Sequence, residues 1–197
     1  MRFLFLALTL VFAAPAFAAT QVNGVWVDPT NAVRAELLTA ALKVWDKTLH
    51  ARRDKLVVVD FAKPSTEKRL HIVDLKTGAV EALLTAHGRG SDTDHDGRAE
   101  NFSSTEGSKA SALGAYLTTK RYFGQHGLSL KLRGLDAQTA NVEERLIVLH
   151  SADYMRADYI ARHGRPGRSW GCFVVEPRLI EDVVSRLEGG VLIYAGR

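Results

Sequence analysis

The sequence predicts one mostly β domain of the α+β class, with helices at its periphery. Short β-branched runs recur between turn residues, while only two stretches carry helical spacing. Neither a repeat nor a low-complexity linker divides the chain, so a single core is expected.

The elements follow in order. Arg2 and the apolar run Phe3–Phe12, followed by Ala16-Phe17-Ala18, have the form of a secretion signal cut after residue 18. The run is too short to span a bilayer and is followed by Pro15, so no integral membrane segment is expected after cleavage. Mature protein would then start near Ala19, exported across the inner membrane. Asp28-Pro29-Thr30-Asn31 reads as a helix start. Val33, Leu37, Leu38, Ala41, Leu42, Val44, Trp45 and Leu49 continue it at helical spacing until Arg52, Arg53 and Lys55. Residues 19–55 are thus an N-terminal helical segment packed on the domain formed by 56–197.

Leu56–Phe61 is a β-branched strand halted at Pro64, and Arg69–Leu75 with Ala79–Thr85 forms a hairpin about Lys76-Thr77-Gly78. Residues 88–114 mix Gly with Ser, Thr and Asp and predict a long irregular segment, a kind of segment that is often functional. Strands are expected at Ala115–Leu117, Leu128–Leu132 and Leu146–Leu149. A helix at Arg178–Leu187 stops at Gly189-Gly190, before a closing strand at Val191–Tyr194.

The formal charge of +4 comes from 26 basic and 22 acidic residues interspersed without a long run, which indicates a solvated surface and no nucleic-acid partner. A single cysteine, Cys172, excludes an internal disulfide. It is buried and inert, paired with another molecule, or chemically useful. His150 ends an apolar strand, and Cys172 follows Gly171 in the turn Ser169-Trp170-Gly171. An imidazole beside a thiol can take its proton, and a glycine-bearing turn lets main-chain N–H groups converge on an oxyanion.

His150-Ser151-Ala152-Asp153-Tyr154 with Ser169-Trp170-Gly171-Cys172 resembles the signature of the L,D-transpeptidase (YkuD-like) catalytic domain. Ala86-His87-Gly88-Arg89-Gly90-Ser91, Ser111-Ala112-Leu113-Gly114 and Gly124-Gln125-His126-Gly127 resemble further blocks of its small murein subfamily. The resemblance implies a β-sandwich or barrel with an N-terminal helix and a helix after the cysteine. It implies peptidoglycan stem peptides as partners, no metal and no cofactor. Cys172 would be the nucleophile and His150 the base, oriented by the main-chain carbonyl of Ser151. Main-chain N–H groups of Gly171, Cys172 and Trp170 would hold the oxyanion, and a thioester would pass to an amine.

Ser169, Arg168, Trp170, His163, His87 and Tyr154 are the candidate substrate-binding residues. Two departures stand out: Trp170 replaces a histidine usual before Gly-Cys, and Val174 replaces the Arg or Asn common two residues after the cysteine, with Arg168 or Arg165 as substitutes for that contact. A hydrolase using water on the same thioester, a non-catalytic wall-binding protein and a zinc amidase using His87, His95 or His150 are the alternatives. Asp92, Asp94 and Asp96 are spaced like half a calcium loop, but Ser103 stands where the bidentate Glu belongs, so a solvated acidic turn is expected.

Overall fold

The computed structural model describes residues 20–197, and the expected signal segment lies outside them. A small hairpin, β1 (Thr20–Val22) and β2 (Val25–Val27), precedes helix α1 (Ala35–Lys47). The main sheet comprises β3 (Lys55–Asp60), β4 (Leu70–Asp74), β5 (Val80–Leu83), β6 (Gly114–Gly124), β7 (Gly127–Gly134), β8 (Val148–Ser151), β9 (Phe173–Val175) and β10 (Leu192–Gly196). Helices α2 (Ala157–His163) and α3 (Ile180–Leu187) flank β9 in sequence.

The strand order is β5-β4-β3-β10-β6-β7-β8-β9, antiparallel except for the β10–β3 and β8–β9 pairs. The two ends of the sheet nearly meet. Ala86 N–H donates to the Val174 carbonyl (3.1 Å), and Gly88 bridges Ser169 in parallel. The result is a barrel-like sheet that is almost closed.

Strand β3 shows why the barrel has two cores. Leu56, Val57, Val58 and Val59 are all buried, so the run lacks the alternation of a half-solvated strand. Val57 and Val59 join the interior with Phe173, Leu149 and Leu187, whereas Leu56 and Val58 face α1 through Leu38, Ala41 and Trp45. Strand alternation sends successive side chains to opposite faces.

Several boundaries depart from expectation. Helix α1 starts at Ala35, because the Asp28 carboxylate is occupied by the N–H groups of Ala32 and Val33 (2.8 Å each), closing a separate turn. The helix ends at Lys47, and Leu49 is exposed. Leu146 is exposed with φ +54° and ends a series of turns, so β8 begins at Val148. Strand β6 runs to Gly124, far beyond Leu117, and a two-residue Gln125-His126 turn leads into β7. The Asn23-Gly24 hairpin had a recognisable turn signal that the sequence reading passed over. Helix α2 buries no residue and therefore lacks an apolar stripe to detect.

Candidate active site

Parallel pairing of β8 with β9 aligns His150 with Val174, and Cys172 lies two residues before Val174, on the same face by strand alternation. Both are buried, with 3% and 9% of their surface exposed. The His150 Nδ1–H donates to the Ser151 carbonyl at 2.9 Å, which leaves Nε2 as the basic nitrogen. Burial holds this imidazole below its ordinary pKa, while the Ser151 carbonyl opposes that shift.

The Cys172 thiol donates weakly to the Leu146 carbonyl (3.8 Å), and burial raises its pKa against the pull of the Val148 N–H and the Arg145 guanidinium. Arg145 also ties the Ser103 and Ala110 carbonyls together (2.9 and 2.7 Å).

The turn before Cys172 is tightly held. Ser169 Oγ donates to the Cys172 carbonyl (2.8 Å) and accepts from the Gly171 N–H (3.1 Å). Gly171 has φ +119°, and a Cβ there would lie 2.7 Å from the Ala110 carbonyl oxygen, so only glycine fits. The opposing segment grips the same turn: Ser169 N–H donates to the His87 carbonyl and Arg89 N–H to the Ser169 carbonyl, both at 2.8 Å. On its other side Gly88 permits close approach of the Lys109–Ser111 segment, since a Cβ would meet the Lys109 carbonyl oxygen at 2.3 Å.

Under this segment lies a buried polar chain. Arg69 Nη2 donates to His87 Nδ1 (2.8 Å), so the His87 proton sits on Nε2 and faces Asp92 Oδ2 (3.0 Å). His87 is neutral. Burial and the Arg69 charge push its pKa down to about 4, with Asp92 opposing.

The L,D-transpeptidase catalytic domain family matches residues 29–195. The chain belongs to this family. Solved L,D-transpeptidases are similar to the chain at low identity. The Mycobacterium tuberculosis H37Rv structure is 11% identical (TM-score 0.46; 73% of this chain, 58% of that one). The Mycobacterium smegmatis structure is also 11% identical (TM-score 0.44; 73% and 59%), and one from Xylanimonas cellulosilytica is 15% identical (TM-score 0.41; 80% and 68%). The matched part thus covers about three fifths of the two mycobacterial chains. No curated protein matches the sequence. Membership marks the chain as a domain of the L,D-transpeptidase catalytic type. Among the described residues no helix is long and apolar enough to cross a membrane.

Within this L,D-transpeptidase domain the expected site residues fall into two groups. His150 and Ser151 lie on β8, and Ser169, Trp170, Gly171 and Cys172 lead into its partner strand β9. Trp170 is 65% exposed, with the Lys109 ammonium 4.7 Å from its ring centre. Tyr154 packs near the thiol, and burial raises its phenol pKa.

The remaining candidates are engaged elsewhere. His163 is exposed, bonded to the Tyr159 carbonyl of its own helix (2.8 Å) and stacked on that ring. Arg168 is bound to the Asp92 carbonyl. His87 is wholly buried and acts through its carbonyl and its neighbours. The Gly171 N–H, expected in the oxyanion hole, is occupied by Ser169 Oγ in this conformation. Val174 is fully buried and apolar.

In the acidic loop, Asp92, Asp94 and Asp96 offer oxygens within 4.8 Å of one another. Those of Asp92 are bonded to His87, Gly97 N–H and Asp96 N–H (3.0–3.1 Å). Arg69 and Arg145 are the residues sequence reasoning missed, while Asp92 reads in sequence only as part of a solvated acidic turn and His126 only as part of a block that resembles the family. The one available signal was a lone arginine at an inward strand position, Arg69 beside Leu70.

A prediction follows from His87. A free histidine titrates near pH 6.5, above its folded value of about 4, so the unfolded chain binds the extra proton between these values. His87 therefore contributes its full stability above about pH 6.5, and that share is lost as pH falls toward 4. His87→Gln can keep both contacts, accepting from Arg69 and donating to Asp92, without a titrating group. Its melting temperature is expected to vary less over this window than that of wild type in thermal melts.

Proposed function

We propose that this chain is a peptidoglycan L,D-transpeptidase in which Cys172 attacks the carbonyl between the diamino acid and D-Ala of a stem tetrapeptide. The observation that carries the reading is the His150 ring. Its Nδ1–H is committed to Ser151, so the free Nε2 is a base on the same face as the only thiol of the chain.

For reaction the thiol turns from the Leu146 carbonyl to His150 Nε2 and gives up its proton there. The thiolate adds to the carbonyl carbon. The C–N bond breaks, and D-Ala leaves as an amine carrying the His150 proton. A thioester on Cys172 remains. The side-chain amine of a second stem attacks it, loses a proton to His150 and forms the new amide, and the thiol regains that proton. Main-chain N–H groups of Cys172 and Trp170 are the oxyanion donors, joined by Gly171 once Ser169 Oγ releases it. Contacts of this kind often tighten only with substrate in place.

The test is intact-mass spectrometry of wild-type protein mixed with a disaccharide-tetrapeptide. An adduct lacking the mass of D-Ala, mapped to the Cys172 peptide, is expected. Cross-linked dimer among the products marks an amine acceptor, and tripeptide alone marks water. Folded protein that releases no D-Ala and forms no adduct would sink the reading.

A further inference from the structure

His150 has a second neighbour besides the Ser151 carbonyl. The ring of His126 lies on it face to face, with centroids 4.3 Å apart and planes 18° apart. His126 comes from the Gln125-His126 turn, and the ladder on either side is paired up to Gly124↔Gly127 and Phe123↔Leu128. Strand β7 in turn pairs with β8 through Leu130↔Leu149, so the hairpin bearing His126 is joined to the strand that bears His150. The stack is therefore built into the sheet.

We propose that His126 is a positioning residue for His150, holding the imidazole in the rotation and protonation state that proton abstraction from Cys172 needs. The Nδ1–Ser151 bond restrains one ring atom in the plane and leaves rotation about that contact free. A flat partner pressed on the ring face removes this freedom, because the two restraints act at right angles.

Charge acts in the same direction. His126 lowers the proton affinity of the His150 ring and so helps keep it in the neutral form that can accept the Cys172 proton. The titratable group acting on His150 is His126 from the β6–β7 turn, and Cys172 lies in the segment before β9, in register with the strand that bears His150. Arg145 and Tyr154 act on the thiol, while Lys131 and Glu143 line the adjoining cleft with His126. The one hydrogen-bond partner recorded for the His150 ring is the Ser151 main-chain carbonyl.

The inference rests on His150 being the base, and the experiment keeps the two ideas apart. The His150 pKa is read by NMR titration of the resting protein, without substrate, in wild type, His126→Ala and His126→Phe. The pH profile of Cys172 acylation is then measured on the same proteins. His126→Ala is expected to raise the His150 pKa by about half a unit or more. The acid limb of acylation should move up with it, and the plateau rate should fall about tenfold. His126→Phe keeps a flat ring on His150 and is expected to recover most of that plateau. An unmoved His150 pKa in His126→Ala, or a plateau that His126→Phe does not recover, overturns the role of His126. Inactive wild type strikes the base assignment instead, and leaves the NMR result standing.

Discussion

Cys172→Ala is expected to abolish the covalent adduct and D-Ala release while leaving the protein folded. The sulfur is buried, but its partners, the Leu146 carbonyl at 3.8 Å and the Val148 N–H, make only the weak hydrogen bonds typical of a thiol, so its removal orphans no strong partner. The cavity costs about 1 kcal/mol. The Ser169–Gly171 bonds that shape the turn use main chain and the Ser169 hydroxyl, and they survive the change. Serine in the same place is a poorer substitute than it looks. Its hydroxyl has a far higher pKa than a thiol and would rely wholly on His150, so Cys172→Ser is expected to lose nearly as much activity. Denaturing mass spectrometry beside a thermal melt checks both variants. An adduct on folded Cys172→Ala would assign the chemistry to another nucleophile and refute the mechanism.

How far the site could be read in advance depended on how local its chemistry is. Ser169-Trp170-Gly171-Cys172 is a continuous turn, and a glycine beside the thiol is visible in the chain itself. His150 was legible because it ends an apolar run, although that run enters the sheet two residues later than its hydropathy suggests. Leu146 looks like a strand residue, but φ +54° puts it in a turn. Strand β3 was legible for the opposite reason: a residue run buried on both faces needs no alternation to be recognised.

His126 was not legible, because its contact depends on how far β6 continues and on the register shift between Thr118 and Arg121. Nothing in Gly124-Gln125-His126-Gly127 shows which strand the turn overhangs. The same holds for Arg168, whose bond to the Asp92 carbonyl spans 76 positions. Composition placed it beside the cysteine in sequence, and tertiary structure gave it to the acidic loop.

Arg69→Met is expected to cost more stability than any surface change in this domain. Arg69 is fully buried, and its guanidinium bonds the Thr85 carbonyl twice (2.9 and 3.1 Å), the Lys63 carbonyl (3.0 Å) and His87 Nδ1 (2.8 Å). Burial lowers its pKa to about 9, opposed by Asp92 and Asp60, so it remains a cation at neutral pH. Methionine fills much of the volume but donates nothing. It would strand the buried Thr85 carbonyl and the half-buried Lys63 carbonyl, leave His87 Nδ1 without a donor, and remove the cation that balances the buried Asp92. Losing one partner of a buried charge network costs about 3–5 kcal/mol. For a domain of this size that corresponds to a melting temperature lower by roughly 6–20 °C. Thr85, Ala86 and His87 also form the seam that closes the barrel and holds Ser169, so acylation of Cys172 should weaken well below the melting temperature. A melt unchanged within about 2 °C would show that the network is not structural, since 1 kcal/mol moves the midpoint by about that much.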